Sequence, residues 1–178
     1  MKEFLIAVDL QNDFVDGALG TKEAEAIVPA VARRTAEAAD CGEKLIFTRD
    51  THEMNYLQTQ EGRRLPVEHC IRGTAGWESV PALRELSGRP DSEIIDKPGF
   101  GSVALGERLR ELDAREKIES ITLCGLCTDI CVISNALLVK AALPETPVRV
   151  EASCCAGVTP ASHETALAAM RMCQIDVV

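Results

Sequence analysis

Three cysteines fall within the eight-residue segment CGLCTDIC, from Cys124 to Cys131. Thiolates can hold a metal, form a redox pair or attack an electrophile, so the residue types allow three kinds of site. An iron-sulfur cluster needs about four thiolates that project from a loop. Here the apolar run before Cys124 predicts a strand, and the pattern after Thr128 predicts a helix that contains Cys131. We therefore interpret Cys124 as a core residue and Cys131 as the candidate nucleophile.

The predicted position of Cys131, about one turn into its helix, favours this chemistry. The positive end of the helix dipole lowers the pKa of a thiol and favours the thiolate. Backbone N–H groups in the turn 126–131 point toward the same place and could hold the oxygen of a tetrahedral intermediate. The alternative is a buried helix cysteine with no chemical role.

The elements that must position this cysteine alternate along the chain. Short apolar runs rich in β-branched residues are separated by stretches of helical period, which predicts an α/β fold around a parallel sheet. We expect strands at 4–8, 44–48, 92–96, 120–124, 148–152 and 174–178. We expect helices at 23–40, 77–87, 102–113, 129–142 and 160–172. The length of 178 residues predicts a single domain over residues 1–178.

Polar residues follow four of the predicted strands. Asp9 follows the first strand, Arg49 and Asp50 the second, Lys97 the third, and the segment 125–131 the fourth. Ligands bind at the carboxyl ends of the strands in an open parallel sheet, so these residues are expected at one edge. A single aspartate after a strand more often caps a helix or forms a turn. The coincidence of an acid, a cation and a thiol is what indicates catalysis.

A second candidate site lies in the segment from Asp50 to Trp77, which is too long and too polar for a plain connection. Long irregular connections in a compact domain are usually functional. Asp50 and His52 are two residues apart and His69 lies further on, a carboxylate and imidazole set that suits zinc, iron or manganese. Hydrogen bonding of both histidines within the loop is the alternative.

The net charge of -9 excludes some partners. It has the wrong sign for binding nucleic acid or an anionic membrane surface. The N-terminal run FLIAV is followed almost at once by Asp9 and is too short for a signal peptide or a membrane span. A cytoplasmic location is therefore expected, where eight cysteines stay reduced and a disulfide framework is not expected.

The chain resembles the cysteine hydrolases of the isochorismatase-like superfamily and, within it, the nicotinamidase (pyrazinamidase) branch. Five motifs carry the resemblance, run in family order and span most of the chain. They are AVDLQNDF at 7–14, TRDTH at 48–52, VEHCIRGT at 67–74, DKPGFGS at 96–102 and CGLCTDICV at 124–132. The resemblance implies a three-layer α/β/α, Rossmann-like sandwich with a six-stranded, mainly parallel sheet.

The resemblance also assigns a catalytic triad of Asp9, Lys97 and Cys131. It implies a cis peptide bond between Leu126 and Cys127, and an oxyanion hole made by the backbone N–H groups of Cys127 and Cys131. In the expected reaction Asp9 takes the thiol proton, Lys97 stabilises the charged pair and the thiolate attacks a carboxamide carbon. Ammonia leaves, and water activated by Asp9 hydrolyses the thioester.

For the metal, the resemblance implies a divalent transition ion, zinc first, with iron or manganese as alternatives. Its ligands would be Asp50, His52 and His69, with the ion binding a pyridine nitrogen of the substrate. The chain has Gln58 where some members have another histidine. Other members use an acidic ligand in the same loop, for which Glu61 is the best candidate here.

Two aromatic residues are candidates for substrate binding. Phe14 resembles the ring-packing residue of the family. Trp77 is the only tryptophan and could stack on a flat ring, although a packing role at a helix start is the plainer interpretation.

The expected function is hydrolysis of nicotinamide to nicotinic acid and ammonia, with a small-molecule amide as the partner and a homo-oligomer expected from the resemblance. A related cysteine amidase acting on an N-carbamoyl or ureido substrate is the alternative, and such relatives generally lack the metal loop. Isochorismate hydrolysis is disfavoured because that branch lacks the nucleophilic cysteine. Two other classes stay open, a metal or redox protein that uses the eight cysteines and a catalytically silent domain.

Overall fold

The computed structural model describes residues 2–178, and all six predicted strands are present. The strands are β1 (Lys2–Val8), β2 (Lys44–Asp50), β3 (Glu93–Lys97), β4 (Ile118–Leu126), β5 (Val148–Ala156) and β6 (Asp176–Val177). The helices are α1 (Asn12–Val15), α2 (Lys22–Cys41), α3 (Gln60–Arg64), α4 (Pro81–Ser87), α5 (Val103–Arg115), α6 (Ile133–Ala142) and α7 (Pro160–Met172). A 3₁₀ turn spans Tyr56–Gln58 and a π-helical turn spans Thr128–Val132.

The six strands form one sheet in the order β3-β2-β1-β4-β5-β6. Every neighbouring pair is parallel, so the sheet expected to be mainly parallel is parallel throughout. The strand order reverses direction between β1 and β4, and the carboxyl ends at such a switch point form a crevice where ligands bind. The residues that follow these two strands therefore lie at the place where this fold builds its sites.

Helices pack on the sheet in two groups. The helices α2 and α4 contact each other, and both contact β2, while α5, α6 and α7 pack in succession and contact strands β3, β5 and β6. The sheet lies between the two groups, as the predicted three-layer α/β/α sandwich requires. Residues 4–8 of β1 and 120–126 of β4 are buried throughout, because helices cover both faces of the central strands.

Local signals account for the ends of the long helices. Thr21 accepts a hydrogen bond from the backbone N–H of Ala24 at the start of α2, which ends at Gly42 with a φ of 82°. Thr159 caps α7 and Pro160 occupies its first position, an order of residues that suits a helix start. No helix within residues 2–178 has the length and apolar character needed to cross a membrane.

Two predicted helices differ from the structure. The helix expected at 77–87 begins only at Pro81, because Ser79 forms an antiparallel bridge with Gln11 that keeps this segment extended. The helix expected at 129–142 opens with the π-helical turn Thr128–Val132, and α6 starts after it. Such turns inside helices are frequent at functional sites.

Candidate active site

Three side chains from three strand ends meet at the carboxyl edge of the sheet. Asp9 follows β1, Lys97 ends β3, and Cys131 lies in the π-helical turn after β4. Lys97 Nζ lies 2.6 Å from Asp9 Oδ2 and donates a hydrogen bond to Cys131 Sγ at 3.5 Å. Asp9 and Lys97 have no exposed surface, and Cys131 is 5% exposed. The structure therefore brings together the three residues that the resemblance assigned to a triad.

The ammonium group of Lys97 is surrounded by acceptors. Besides Cys131 Sγ, it donates to the carbonyl oxygen of Gly99 at 3.0 Å and to Asp50 Oδ1 at 3.3 Å. Asp9 Oδ2, at 2.6 Å, is the nearest of its partners and is the main counter-ion of the ammonium group. Burial lowers the pKa of Lys97, but Asp9 and Cys131 outweigh it and raise the pKa above its ordinary value. Lys97 is therefore a fixed cation.

Asp9 is held by its backbone geometry and by one hydroxyl group. Its φ of 51° lies in the left-handed region, which aspartate tolerates better than most residues. Thr48 on β2 donates a hydrogen bond from Oγ1 to Asp9 Oδ1 at 2.6 Å. Burial raises the pKa of Asp9, and the nearby Lys97 offsets only part of this rise. A carboxylate whose pKa is shifted toward neutrality makes a better general base than an ordinary aspartate.

The Cys131 thiol is buried beside a negative charge. Burial and the carboxylate of Asp9 raise the pKa of Cys131 well above its ordinary value, against the opposing effect of Lys97. The helix-dipole argument predicts a lowered pKa, and that prediction is wrong because it considers only the helix end. Cys131 therefore rests as a thiol and needs a base in contact with it.

The chain approaches the turn of Cys131 through a close contact between β4 and β1. Gly125 has a φ of 117°, and a Cβ atom there would lie 2.2 Å from the carbonyl oxygen of Val8. The peptide bond between Leu126 and Cys127 is cis, as the resemblance implied.

The turn itself is organised by the carbonyl of Cys127. This oxygen accepts hydrogen bonds from the N–H groups of Ile130 at 3.1 Å and Val132 at 3.0 Å. Cys127 and Cys131 both line one cavity. The use of their N–H groups as an oxyanion hole stays a prediction.

A second group of polar side chains lies beside the triad. Its members each offer one ligand atom, all within 4.8 Å of one another: Asp50, His52, Glu61 and His69. Asp50 Oδ2 lies 3.0 Å from His52 Nε2 and 3.6 Å from His69 Nε2. Glu61 Oε1 lies 3.7 Å and 3.9 Å from the same two nitrogens. No other group of three or more such residues is found within residues 2–178.

The donor atoms of this group suit a divalent transition metal. Ligands bound at about 2.0–2.2 Å around one ion lie about 3 to 4 Å apart, which matches the four distances above. His52 Nε2 is buried and has no hydrogen-bond partner among the described residues. His69 Nδ1 lies 2.8 Å from the carbonyl oxygen of Val67, which orients the ring with Nε2 toward Asp50. The group can therefore hold zinc, and it includes Glu61.

The two carboxylates of this group repel each other, whereas the imidazoles stabilise the charge of Asp50. Burial raises the pKa of Asp50, but the His52 and His69 imidazoles outweigh it and hold the pKa well below the usual range. Burial and the charge of Asp50 raise the pKa of Glu61. Two carboxylates that face the same point are stabilised by a positive ion between them.

A cavity of about 60 Å³ joins the two groups. Cys127 and Cys131 form part of its wall, and Asp50, Glu61 and His69 form another part. Its remaining lining residues are apolar: Phe14, Leu19, Leu65, Phe100 and Ile130. A second cavity of about 550 Å³ is more open and shares four lining residues with the first: Glu61, Leu65, Phe100 and Ile130.

The two aromatic candidates have different surroundings. Phe14 lines the cavity, and its ring centroid lies 5.6 Å from that of His69. Trp77 is not among the lining residues of this cavity. Its indole N–H donates to Thr51 Oγ1 at 2.9 Å, and the guanidinium of Arg49 lies 3.7 Å from the ring centroid. Packing, the plainer of the two interpretations, therefore accounts for Trp77.

Sequence reasoning missed Gln11, which fixes the position of Asp50. The Gln11 side chain accepts a hydrogen bond from the N–H of Asp50 at 2.7 Å and donates to its carbonyl oxygen at 2.8 Å. Gln11 also donates to the carbonyl oxygen of Trp77 at 2.9 Å and is fully buried. The only sequence signal was its place inside the motif AVDLQNDF.

Comparison with known proteins gives a consistent family. The family model for the isochorismatase domain matches residues 3–178. An uncharacterised isochorismatase family protein of Bacillus subtilis is 33% identical over 145 residues, which cover 77% of this chain and 78% of that protein. A nicotinamidase/pyrazinamidase of Mycobacterium tuberculosis is 27% identical over 190 residues, covering 98% of this chain and 97% of that protein.

Solved structures show the same fold. A pyrazinamidase of Pyrococcus horikoshii in complex with zinc has a TM-score of 0.84 at 28% identity, covering 100% of this chain and 99% of its own. A pyrazinamidase/nicotinamidase of Streptococcus mutans has a TM-score of 0.87 at 28% identity, covering 99% of this chain and 100% of its own. The sheet, the triad-like cluster and the metal-ligand group described above thus occur on a fold shared with these proteins.

Proposed function

This chain belongs to the isochorismatase family, and within it we propose that the protein is an amidohydrolase that converts nicotinamide, or a closely related small carboxamide, to the acid and ammonia. The observation that carries the proposal is the single cavity bounded by Cys131 and by the ligand group of Asp50, Glu61 and His69. A nucleophile and a site for a ring nitrogen within one small space suit an aromatic amide.

The nucleophile is Cys131 and its base is Asp9. Asp9 lies close enough to Cys131 for its carboxylate to raise the pKa of the thiol, and its own raised pKa suits it to accept the thiol proton. Lys97, at 3.5 Å from Sγ, stabilises the thiolate as it forms. Because the pKa of the thiol is raised, proton removal accompanies attack on the carboxamide carbon.

The remaining steps use the same groups. The N–H groups of Cys127 and Cys131 hold the oxygen of the tetrahedral intermediate. Asp9 returns the proton to the departing nitrogen, ammonia leaves and a thioester forms on Cys131. Asp9 then takes a proton from water, the hydroxide attacks the thioester, and the acid and the free thiol are released. Proton transfer of this kind contributes about 100-fold to 10,000-fold.

The ligand group adds orientation. A divalent ion held by Asp50, His52, Glu61 and His69 would supply a Lewis-acidic position for a ring nitrogen. Phe14, which lines the cavity beside His69, packs against the substrate ring. This group also disfavours the N-carbamoyl and ureido alternative, since such relatives generally lack it.

The test is ammonia release from nicotinamide by the zinc-loaded protein, run beside Cys131→Ala. Cys173→Ala is the matched control, because Cys173 is also a free cysteine but is exposed, whereas Cys131 is buried. We expect activity in the parent and in Cys173→Ala, and none in Cys131→Ala. A parent that releases no ammonia overturns nicotinamide as the substrate, and an active Cys131→Ala overturns the nucleophile.

Assembly into a homo-oligomer and a cytoplasmic location stay predictions. Exposed apolar side chains in the segment 50–77 support the first, with Met54 81% and Leu57 48% exposed. Light scattering of the purified protein tests it, and a monomeric mass would contradict it.

A further inference from the structure

The π-helical turn that carries Cys131 has two sides. One side lines the cavity through Cys127, Ile130 and Cys131. The other side consists of Thr128 and Asp129, which bind the segment at the start of α7. Whatever holds the second side in place therefore also sets the position of the first.

Thr128 makes the central contact on that second side. Its Oγ1 lies 2.8 Å from Nδ1 of His163 on α7, and its side chain has no exposed surface. Asp129 adds a second link, since its two carboxylate oxygens lie 3.1 Å and 3.3 Å from the N–H of Val158. Two successive residues of the turn are thus tied to residues 158 and 163.

The first turn of α7, which carries His163, is held in a fixed conformation. Thr159 and Ser162 form a capping box at the start of the helix, so His163 stands on a fixed first turn. Gly157 allows the preceding segment to approach, because a Cβ atom there would lie 2.9 Å from the N of His163. The imidazole is therefore presented to Thr128 by a rigid element.

We propose that His163 is a positioning residue for the hydrolysis, acting through Thr128 on the turn that carries Cys127 and Cys131. The inference rests on the proposed function and goes beyond it, since His163 contacts neither the triad nor the ligand group in the hydrogen bonds and ion pairs above. Without the Thr128 contact, only the Asp129 link to Val158 holds this side of the turn, and the turn can shift relative to Asp9. A displacement of about 1 Å in such a group can reduce a rate by about 100-fold.

The experiment compares variants that remove the contact with variants that keep a polar partner. His163→Leu and Thr128→Val remove it, and we expect kcat to fall about 10-fold to 100-fold with KM nearly unchanged. His163→Asn and Thr128→Ser keep a hydrogen-bonding atom and should retain most of kcat. Glu164→Gln, an exposed neighbour on α7, is the matched control and should match the parent.

The double variant Thr128→Val/His163→Leu separates positioning from general damage. If the two residues act as one link, the double variant is no slower than either single variant. The inference is overturned if the two losses multiply, if His163→Asn is as slow as His163→Leu, or if kcat is unchanged in both removing variants.

A second readout keeps the inference distinct from the choice of substrate. The rate at which iodoacetamide labels Cys131 depends on proton removal by Asp9 but not on nicotinamide. A parent without nicotinamidase activity would overturn the proposed function alone. The inference then stands if His163→Leu slows labelling of Cys131 and His163→Asn does not, and it falls if the two variants label at the same rate.

Discussion

Asp50 Oδ1 lies 3.3 Å from the ammonium nitrogen of Lys97, while Oδ2 of the same carboxylate lies 3.0 Å from Nε2 of His52. One buried side chain therefore belongs both to the ion-pair cluster around Cys131 and to the metal-ligand group. Neutralising it changes the charge around Lys97 as well as the affinity for a metal ion.

This shared carboxylate leads to a prediction for Asp50→Asn compared with His69→Gln. Each variant replaces a carboxylate or an imidazole by a neutral amide, a weaker ligand for zinc, so we expect zinc binding to weaken by about 10-fold or more in each. At saturating zinc, Asp50→Asn should retain a lower kcat than His69→Gln, because only the first removes a counter-charge of Lys97. Zinc affinity by chelator competition and kcat for nicotinamide measure the two effects. Equal kcat values at saturating zinc would contradict the prediction.

The placement of the triad could be predicted because it follows from topology. Carboxyl ends of parallel strands converge at one edge, so Asp9, Lys97 and the turn of Cys131 were expected near one another from strand assignment alone. The ligand group could be predicted less fully, because Glu61 lies on α3, a short helix that the sequence pattern did not indicate. Glu61 was assigned to the metal-ligand group from the family resemblance and not from residue spacing.

The partners of these residues could not be predicted. Gln11 and Thr48 are buried polar residues on or beside strands, and nothing in their sequence environment says which backbone or carboxylate they bind. The expectation of a lowered pKa for Cys131 differed from the structure for a related reason. A helix end is visible in a sequence, whereas burial and the distance to Asp9 are properties of the folded chain.

The Thr48 hydroxyl gives a prediction about pH. Thr48→Val keeps the shape of the side chain but removes the hydrogen bond at 2.6 Å to Asp9 Oδ1. That bond favours the ionised form, so its loss raises the pKa of Asp9 further. Activity requires ionised Asp9 and is lost as pH falls through this pKa, so the acid limb should move to higher pH. A bond to a charged group contributes about 1.5–3 kcal/mol, equivalent to about 1 to 2 pH units.

The measurement for Thr48→Val is the pH profile of kcat/KM for the zinc-loaded enzyme, which reports groups of the free enzyme. Thr51→Val is a suitable control, because the Thr51 hydroxyl bonds to Arg49 and Trp77 and not to Asp9. An acid limb that stays in place in Thr48→Val would show that Asp9 does not govern it.

Zinc removal should lower thermal stability. The carboxylates of Asp50 and Glu61 face the same two imidazoles, and a bound cation relieves their repulsion. A ligand at about 100 times its Kd stabilises the native state by about 2.7 kcal/mol, which for this size is a rise in Tm of about 5 to 11 °C. Calorimetry with zinc and with chelator measures the difference. The combined variant His52→Gln/His69→Gln should lose the zinc-dependent rise, and a rise that persists would contradict the assigned ligands.

The close approach of β4 to β1 makes Gly125→Ala a test of how the turn of Cys131 is placed. A Cβ atom at Gly125 would lie 2.2 Å from the carbonyl oxygen of Val8, so the two strands must separate, and the φ of 117° is itself unfavourable for alanine. Gly42→Ala is the matched control, because Gly42 has a φ of 82° but no atom within 4 Å of its added Cβ.

Urea denaturation should separate these two costs. Gly42→Ala should lose about 1–2 kcal/mol of unfolding free energy, the cost of a left-handed conformation for alanine. Gly125→Ala should lose more than about 3 kcal/mol, because the strand contact is added to that cost, and it should also lose activity through displacement of Cys131. Equal losses in the two variants would mean that backbone conformation alone limits Gly125. The turn would then tolerate separation of β1 and β4, and the geometry around Cys131 would have to be maintained from the side of α7.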